Sequence, residues 1–291
     1  MTLLALDGGQ SGCRARLDDG APFDLPGIQT HRSVVDQLAA LVRTAAPSGV
    51  DVVCIGTTGL GASDTAAALL AQLPPVGEVR LAHDSVTSYL GGLGDRPGCV
   101  VAAGTGSIIF AVGATSVARV DGWGHLVGDA GSGYWIGRAA LDAVLRAYDG
   151  RGPGTALSAP VTADFPELDQ MYLALQGDPD RVRRIASYAR VVADLAASDE
   201  VAGAIVARAA TELAESVATA LERVGAAPDA PVCPLGNVFR GKSLAAGFAA
   251  SLEARRPQVR LVAPAGNGLD GAALLATATG SLVSRIDIAR R

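Results

Sequence analysis

Two short tracts place glycines and a hydroxyl directly after an apolar run, the first of them with a carboxylate as well. The first is Asp7-Gly8-Gly9-Gln10-Ser11-Gly12, behind "LLAL". Gly8 and Gly9 leave backbone N–H groups unobstructed and Ser11 adds a hydroxyl donor, so the tract can cradle an anion such as a phosphate. Asp7, at the end of the run, is a hard oxygen donor suited to the hydrated Mg2+ that accompanies ATP. The second tract is Gly104-Thr105-Gly106-Ser107, behind "CVVAA". Either one alone is equally well the connection of an ordinary β-hairpin; two of them form a pair that a lone loop does not. A second carboxylate, Asp84, follows "VRLAH" and precedes "SVTSYL". An aspartate there is a natural helix N-cap, and a cap at a strand end can still face a cleft. Finally, "DGWGHLVGDAGSGYWIGRAAL" (121–141) holds both tryptophans of the chain. It is too rich in glycine for a helix interior, too polar for a buried strand, and turns helical from Tyr134.

The elements that position these residues alternate along the chain. Apolar strands are expected at 3–7, 51–56 and 79–84, with "CRARL" as the return strand of a hairpin. Helical spacing runs from His31 to the stop at Pro47, from Ser63 with Ser or Asp as cap, and after Asp84. Beyond "GDRPG" (94–98) a second series opens with two strands around "GTGS". It continues through the helix ending near Tyr148 and the Ala-rich helices 181–197 and 199–225. The strand "PVCPLGNVF", a helix over "SLAAGFAASLEARRP", the strand "VRLVAPAG" and a closing helix over "LDGAALLATATGSL" follow. The two series begin alike, at 3–17 and 99–112, which predicts two similar α/β lobes. The seam is placed at Pro97–Gly98, giving lobes 1–97 and 98–291, with the closing helix returning to the first.

The 291 residues are 49% hydrophobic and 18% charged, which excludes a disordered chain. Aromatics at 4% and the absence of a basic run argue against a nucleic-acid partner, and no apolar stretch approaches a bilayer span. The first residues lack the basic region of a signal peptide. Cys13, Cys54, Cys99 and Cys233 are far apart, with no C-x-x-C pair, and read as buried free thiols. A cytoplasmic setting and a homodimer are the expectations.

"LDGGQSGCRA", "AHDSVTS", "AAGTGS", "GWGHLVGDAGSGYWIG", "PLGNVF" and "APAGNGLDGA" stand in the order and spacing of the N-acetylglucosamine kinase family. Over nearly the whole chain the sequence resembles that family and the related ATPase activators of benzoyl-CoA reductase and 2-hydroxyacyl-CoA dehydratase. The resemblance implies the two-lobed fold of the actin and hexokinase superfamily, with ATP, Mg2+ and a sugar in a cleft. It implies phosphorylation of an amino sugar, N-acetylglucosamine or glucosamine, on its primary hydroxyl, with Asp84 as the general base. Ser11, Thr105 and Gly106 fall on phosphate positions, beside Gly8, Gly9 and Gly104. Gly236 falls on an adenosine contact. Ser107, Gly122, Trp123, Gly124 and Asp129 fall on the sugar side. Gln10, Ile108, Ala130 and the stretch 27–33 depart from the family pattern, mostly on that sugar side. The activator reading would need cysteines on interface helices; a catalytically silent sensor is the other alternative, and the retained Asp7 and Asp84 speak against it.

Overall fold

The apolar run from Leu3 to Leu6 forms a strand covered on both faces, as its lack of polar alternation requires. In the computed structural model, which describes residues 1–10, 12–29, 31–46 and 49–291, this is β1 (Leu3–Gly8). Along the chain follow β2 (Cys13–Leu17), β3 (Phe23–Leu25), α1 (Val34–Ala45), β4 (Val52–Thr57), α2 (Ala66–Ala71), β5 (Glu78–His83) and α3 (Asp84–Leu93). Next come β6 (Gly98–Ala103), β7 (Ser107–Val112), β8 (Val117–Val120), α4 (Gly133–Tyr148), α5 (Ser158–Asp164), α6 (Met171–Gly177), α7 (Arg181–Leu195) and α8 (Glu200–Arg223). The chain ends with β9 (Pro231–Leu235), α9 (Lys242–Arg255), β10 (Arg260–Leu261), α10 (Gly268–Leu274) and β11 (Ile286–Arg290).

Two compact units result. The first comprises Met1–Val100, Val112–Val117 and Ala263–Arg291; the second comprises Val101–Ala111 and Ala118–Val262. The first unit is built on a six-stranded sheet in the order β11-β5-β4-β1-β2-β3. Strands β1, β4 and β5 run parallel, while β2, β3 and β11 pair antiparallel. On β1 the side chains divide by alternation. Leu4 and Leu6 enter a core with Leu38, Val53, Ile55, Leu69 and Leu81, whereas Ala5 packs against Leu269 and Ala272 of α10. The C-terminal stretch is therefore an integral layer of the first unit. Its α10 packs on α3 and β1, and β11 forms the sheet edge beside β5.

The second unit has a five-stranded sheet, β10-β9-β6-β7-β8, and a helical layer in which α4 packs on α7 and α8, and α8 on α9. Small residues permit that close helix packing: Ala202, Ala209, Ala210, Ala214 and Ala220 of α8 are all buried, along with Leu213, Val217 and Leu221.

Several elements differ from the sequence expectation. The stretch 269–282, expected as one closing helix, holds only α10 and the start of a 3-10 turn at Gly280–Arg285, and β11 follows it unforeseen. The strand expected over "VRLVAPAG" shrinks to the two residues of β10. Helix α2 starts at Ala66 under a Thr65 cap rather than a Ser63 or Asp64 cap. Cys233 lies within β9, and all four cysteines are buried. Among the described residues no helix is long and apolar enough to cross a membrane.

Candidate active site

In the first unit three parallel strands end side by side. The register sets Asp7 beside Gly56 and Gly8 beside Thr57, then Gly56 beside Ala82 and Thr57 beside His83. Asp7, Thr57 and the His83–Asp84 junction therefore form a row at the carboxyl ends of β1, β4 and β5. Thr57 is buried and its Oγ1 donates to the carbonyl of Gly8 at 3.2 Å, fixing the start of the first Gly-rich loop from beneath. Within that loop the Gly9 N–H donates to Gly12 O at 3.1 Å, and Gly9 O accepts from Ile28 N at 2.9 Å. The Gly9 amide thus closes its own turn. Ser11 lies outside the described residues.

Burial pushes the Asp7 carboxyl up to about 6; the negative charge of Asp84 acts in the same direction, and Arg14 opposes it. Gly268, the first residue of α10, lies against this carboxylate, where a Cβ would come within 2.6 Å of Oδ2. Asp84 is the first residue of α3, and the N-cap position expected of it is occupied by His83, whose Nδ1 lies 3.3 Å from the Ser85 N. His83 Nδ1 stands 2.7 Å from Asp84 Oδ1, with both side chains a little over one-third exposed.

The second unit gathers the other residues. Loop 104–106 joins β6 to β7, and its Gly104 N–H donates to Gly106 O at 2.8 Å. The carbonyls of Gly104 and Thr105 accept from Gly133 and Tyr134, the first N–H groups of α4, at 2.8 and 3.0 Å. The next amide, Trp135, donates to the buried cap Ser132 at 3.2 Å. The N-terminus of α4 is thus spent on clamping the loop. Among the described residues, the N–H groups of Thr105 and Gly106 meet no protein acceptor and are the donors left for an anion.

The Gly-rich tract folds around Asp121, which the sequence reading did not single out. Its two carboxylate oxygens accept from the N–H groups of Asp129 and Ala130, each at 2.8 Å. Asp121 and Asp129 both adopt left-handed backbone, with φ of 55° and 58°. Held this way, Asp129 is buried and takes the Gly124 N–H on Oδ1 at 3.0 Å. Its Oδ2 lies 2.6 Å from where a Cβ on Gly106 would stand, so a side chain there would displace the Asp129 carboxylate. Burial raises the Asp129 carboxyl above its usual range, the Gly124 N–H opposes this, and Asp121 adds to it. Ser107 spends its hydroxyl on the carbonyl of Ala130 at 3.1 Å.

Trp123 is largely exposed and is backed by the Arg119 guanidinium 4.6 Å from its ring centroid. Arg119 also donates to the carbonyls of Asp121 and Gly122, and Ile108 lies directly beneath Gly122. Gly236 (φ 98°) follows β9 and presses on Ala103 at the end of β6. The structure therefore brings together Asp7, Gly8, Gly9 and Asp84 in one unit, and Gly104–Ser107, Gly122–Gly124, Asp129 and Gly236 in the other.

Two sequence signals passed unused. "GNVFRGKS" (236–243) has Walker spacing between a strand and a helix, but Asn237–Arg240 form a 3-10 turn and Gly241 N donates to Val238 O, so it is not a phosphate wrap. "GNGLDG" (266–271) has dinucleotide-loop spacing, yet its Asn267 and Asp270 close a capping box on α10. A cavity of about 490 Å³ opens between α4 and α8, lined by Trp135, Arg146, Glu200 and Arg208 among others, and none of the loop residues named above lines it.

Comparison with known proteins fits this arrangement. Over 178 residues the chain is 33% identical to the N-acetylmuramic acid/N-acetylglucosamine kinase of Clostridium acetobutylicum, a match covering 58% of each chain. It is 29% identical over 178 residues to a glucosamine kinase of Vibrio cholerae, covering 56% of this chain and 60% of that one. The chain thus spans less than two-thirds of the length of these curated relatives. In three dimensions it superposes on a candidate N-acetylglucosamine kinase from Chromobacterium violaceum with a TM-score of 0.74 at 27% identity, over 94% of this chain and 98% of the other. The α/β fold implied by the resemblance is therefore the fold observed. The model of the BadF/BadG/BcrA/BcrD ATPase family matches residues 12–276, and the chain belongs to that family.

Proposed function

We propose that the protein is an ATP-dependent kinase that phosphorylates an amino sugar, N-acetylglucosamine or glucosamine, on its primary hydroxyl. The observation that carries this reading is the row at the carboxyl ends of β1, β4 and β5, where Asp7 and Asp84 sit close enough for one charge to act on the other. Asp84 is assigned as general base. It takes the proton of the sugar hydroxyl as that oxygen bonds the γ-phosphorus, while the bond to the bridging oxygen breaks and its electron pair leaves with ADP. Asp7 suits a cation held mainly by phosphate and water: it is a hard oxygen donor under the field of a second carboxylate. Among the described residues no three His, Cys, Asp or Glu side chains gather into a cage. Mg2+ there would neutralise phosphate charge. The free Thr105 and Gly106 N–H groups fit phosphate oxygens, and Asp129 and the backbone of 122–124 fit sugar hydroxyls.

The sugar side favours no acetyl group in particular. Ile108 and Ala130 offer no side-chain hydrogen bond, and an unpaired buried amide costs about 1–3 kcal/mol. Glucosamine is expected to be phosphorylated at least comparably to N-acetylglucosamine, read as kcat/KM for glucosamine, N-acetylglucosamine and glucose at fixed ATP and Mg2+. In the same assay of ADP release, Asp84→Asn should lower kcat by roughly 100-fold or more with ATP affinity little changed. Near-full turnover by Asp84→Asn would overturn the assignment.

The activator alternative gains nothing from the structure, since the four cysteines lie buried in β2, β4, β6 and β9.

A further inference from the structure

Three polar atoms crowd His83 Nδ1. Asp84 Oδ1 is at 2.7 Å, Ser85 Oγ at 3.1 Å and the Ser85 backbone N at 3.3 Å. A ring nitrogen carries either a proton or a lone pair, so it serves only one kind of neighbour at a time. Bare, Nδ1 accepts the Ser85 N–H and caps α3. Protonated, it donates to the carboxylate of Asp84. The 2.7 Å separation is in the range of a charge-assisted hydrogen bond and requires one proton between the two atoms. A general base must begin as the carboxylate, so that proton belongs on the ring. Among the described residues, Asp84 Oδ2 takes no hydrogen bond and stays open to the acceptor hydroxyl.

We propose that His83 is a positioning residue for Asp84, its Nδ1–H holding Oδ1 so that Oδ2 is presented to the hydroxyl being phosphorylated. This rests on the kinase reading for its consequence in turnover, but the hydrogen bond itself does not. A partly exposed aspartate without such an anchor samples several rotamers, and each turn of the carboxylate takes the basic oxygen out of line. In the transfer step the hydroxyl proton goes to Oδ2 while His83 keeps its own proton throughout. The anchor sacrifices the Ser85 cap, which a bare imidazole would otherwise supply.

The test begins with 15N–1H spectra of imidazole groups in the full chain, which has three histidines; the signal absent in His83→Asn assigns His83. In the neutral wild-type ring, Nδ1 should carry the proton. In Asp84→Ala, where the acceptor is gone, the proton should move to Nε2 as Nδ1 turns to the Ser85 N–H. A wild-type ring with bare Nδ1, or the same tautomer in both proteins, overturns the proposal. Turnover is the second arm. His83→Asn places an amide donor near the Nδ1 position and should keep kcat within about threefold, whereas His83→Asp keeps a cap acceptor but sets a negative charge against Asp84. The latter should lose about tenfold or more in kcat at unchanged sugar KM. Wild-type turnover by a folded His83→Asp also overturns it. Should the wild type phosphorylate no sugar, the kinase reading falls, and the tautomer measurement still decides whether His83 holds Asp84.

Discussion

Ionising Asp7 works against folding. In the unfolded chain its carboxyl titrates near 3.8, and in the folded protein burial and the Asp84 charge move it to about 6. The native state thus binds this proton more tightly. The stability it contributes is fully present below pH 3.8 and lost as pH rises through 6. Two pH units correspond to roughly 3 kcal/mol. Asp7→Asn is therefore expected to be more stable than the wild type at pH 8 and no more stable at pH 4, in urea unfolding with chelator present. Equal or lower stability of the variant at pH 8 would show that the environment of Asp7 is not the one described. The same variant should lose turnover, because the carboxylate that strains the fold is the one suited to the cation. At this scale the sequence was readable where a carboxylate's place follows from its own motif: Asp7 lies in β1 just before the glycines, and Asp84 follows β5 at the start of α3. Asp121 was not, because it acts on the amides of residues 129 and 130, a partnership that only the closed loop creates. The Asp-Gly pair at 121–122 marked a turn and nothing more.

The row of residues at the strand ends is set by elements, and one junction between them admits no side chain. Helices α3 and α10 approach so closely that a Cβ on Gly271 would lie 1.8 Å from the carbonyl of Thr87, and one on Gly91 would lie 2.0 Å from that of Asn267. The neighbouring atoms are backbone, which cannot rotate away. Gly271→Ala must push α10 off α3, and with it Gly268 from Asp7. Overpacking of this kind costs about 1–3 kcal/mol or more. A lower melting temperature by several degrees is expected, together with a fall in kcat although residue 271 touches no assigned site residue. An unchanged melting temperature would mean that the helices are not packed as described. Legibility at this scale followed length and burial. The apolar strands β1 and β4, the strand β5 and the long helices α7 and α8 were evident from their patterns. β3, β8 and β11 were not, being three to five residues long and partly exposed, nor were the seven-residue helices α5 and α6. β11 owes its conformation to β5, some two hundred residues earlier, and no local pattern reports that pairing.

Across the whole molecule, chain order and compact unit do not coincide, since Ala263–Arg291 belongs with the first hundred residues. Leu269, Leu275 and Leu282 of this stretch are buried completely or nearly so, and Arg80 donates to the carbonyl of Leu275 at 2.7 Å. At about 1.5–3 kcal/mol for each buried leucine, the three contribute roughly 5–9 kcal/mol. That is comparable with the 5–15 kcal/mol that typically separates a folded domain from its unfolded chain. Removing 263–291 also strips the partner from β5 and uncovers the face of β1 that carries Ala5. A chain ending at Val262 is therefore expected to lose its first unit while keeping the second, whose elements between Ala118 and Val262 remain complete. Hydrogen exchange resolves the two: amides of β1, β4, β5 and α3 should exchange rapidly in the truncated chain, and those of α4, α7 and α8 should stay protected. Protection of β1 and β4 after truncation would mean that the first hundred residues fold without the C-terminal layer.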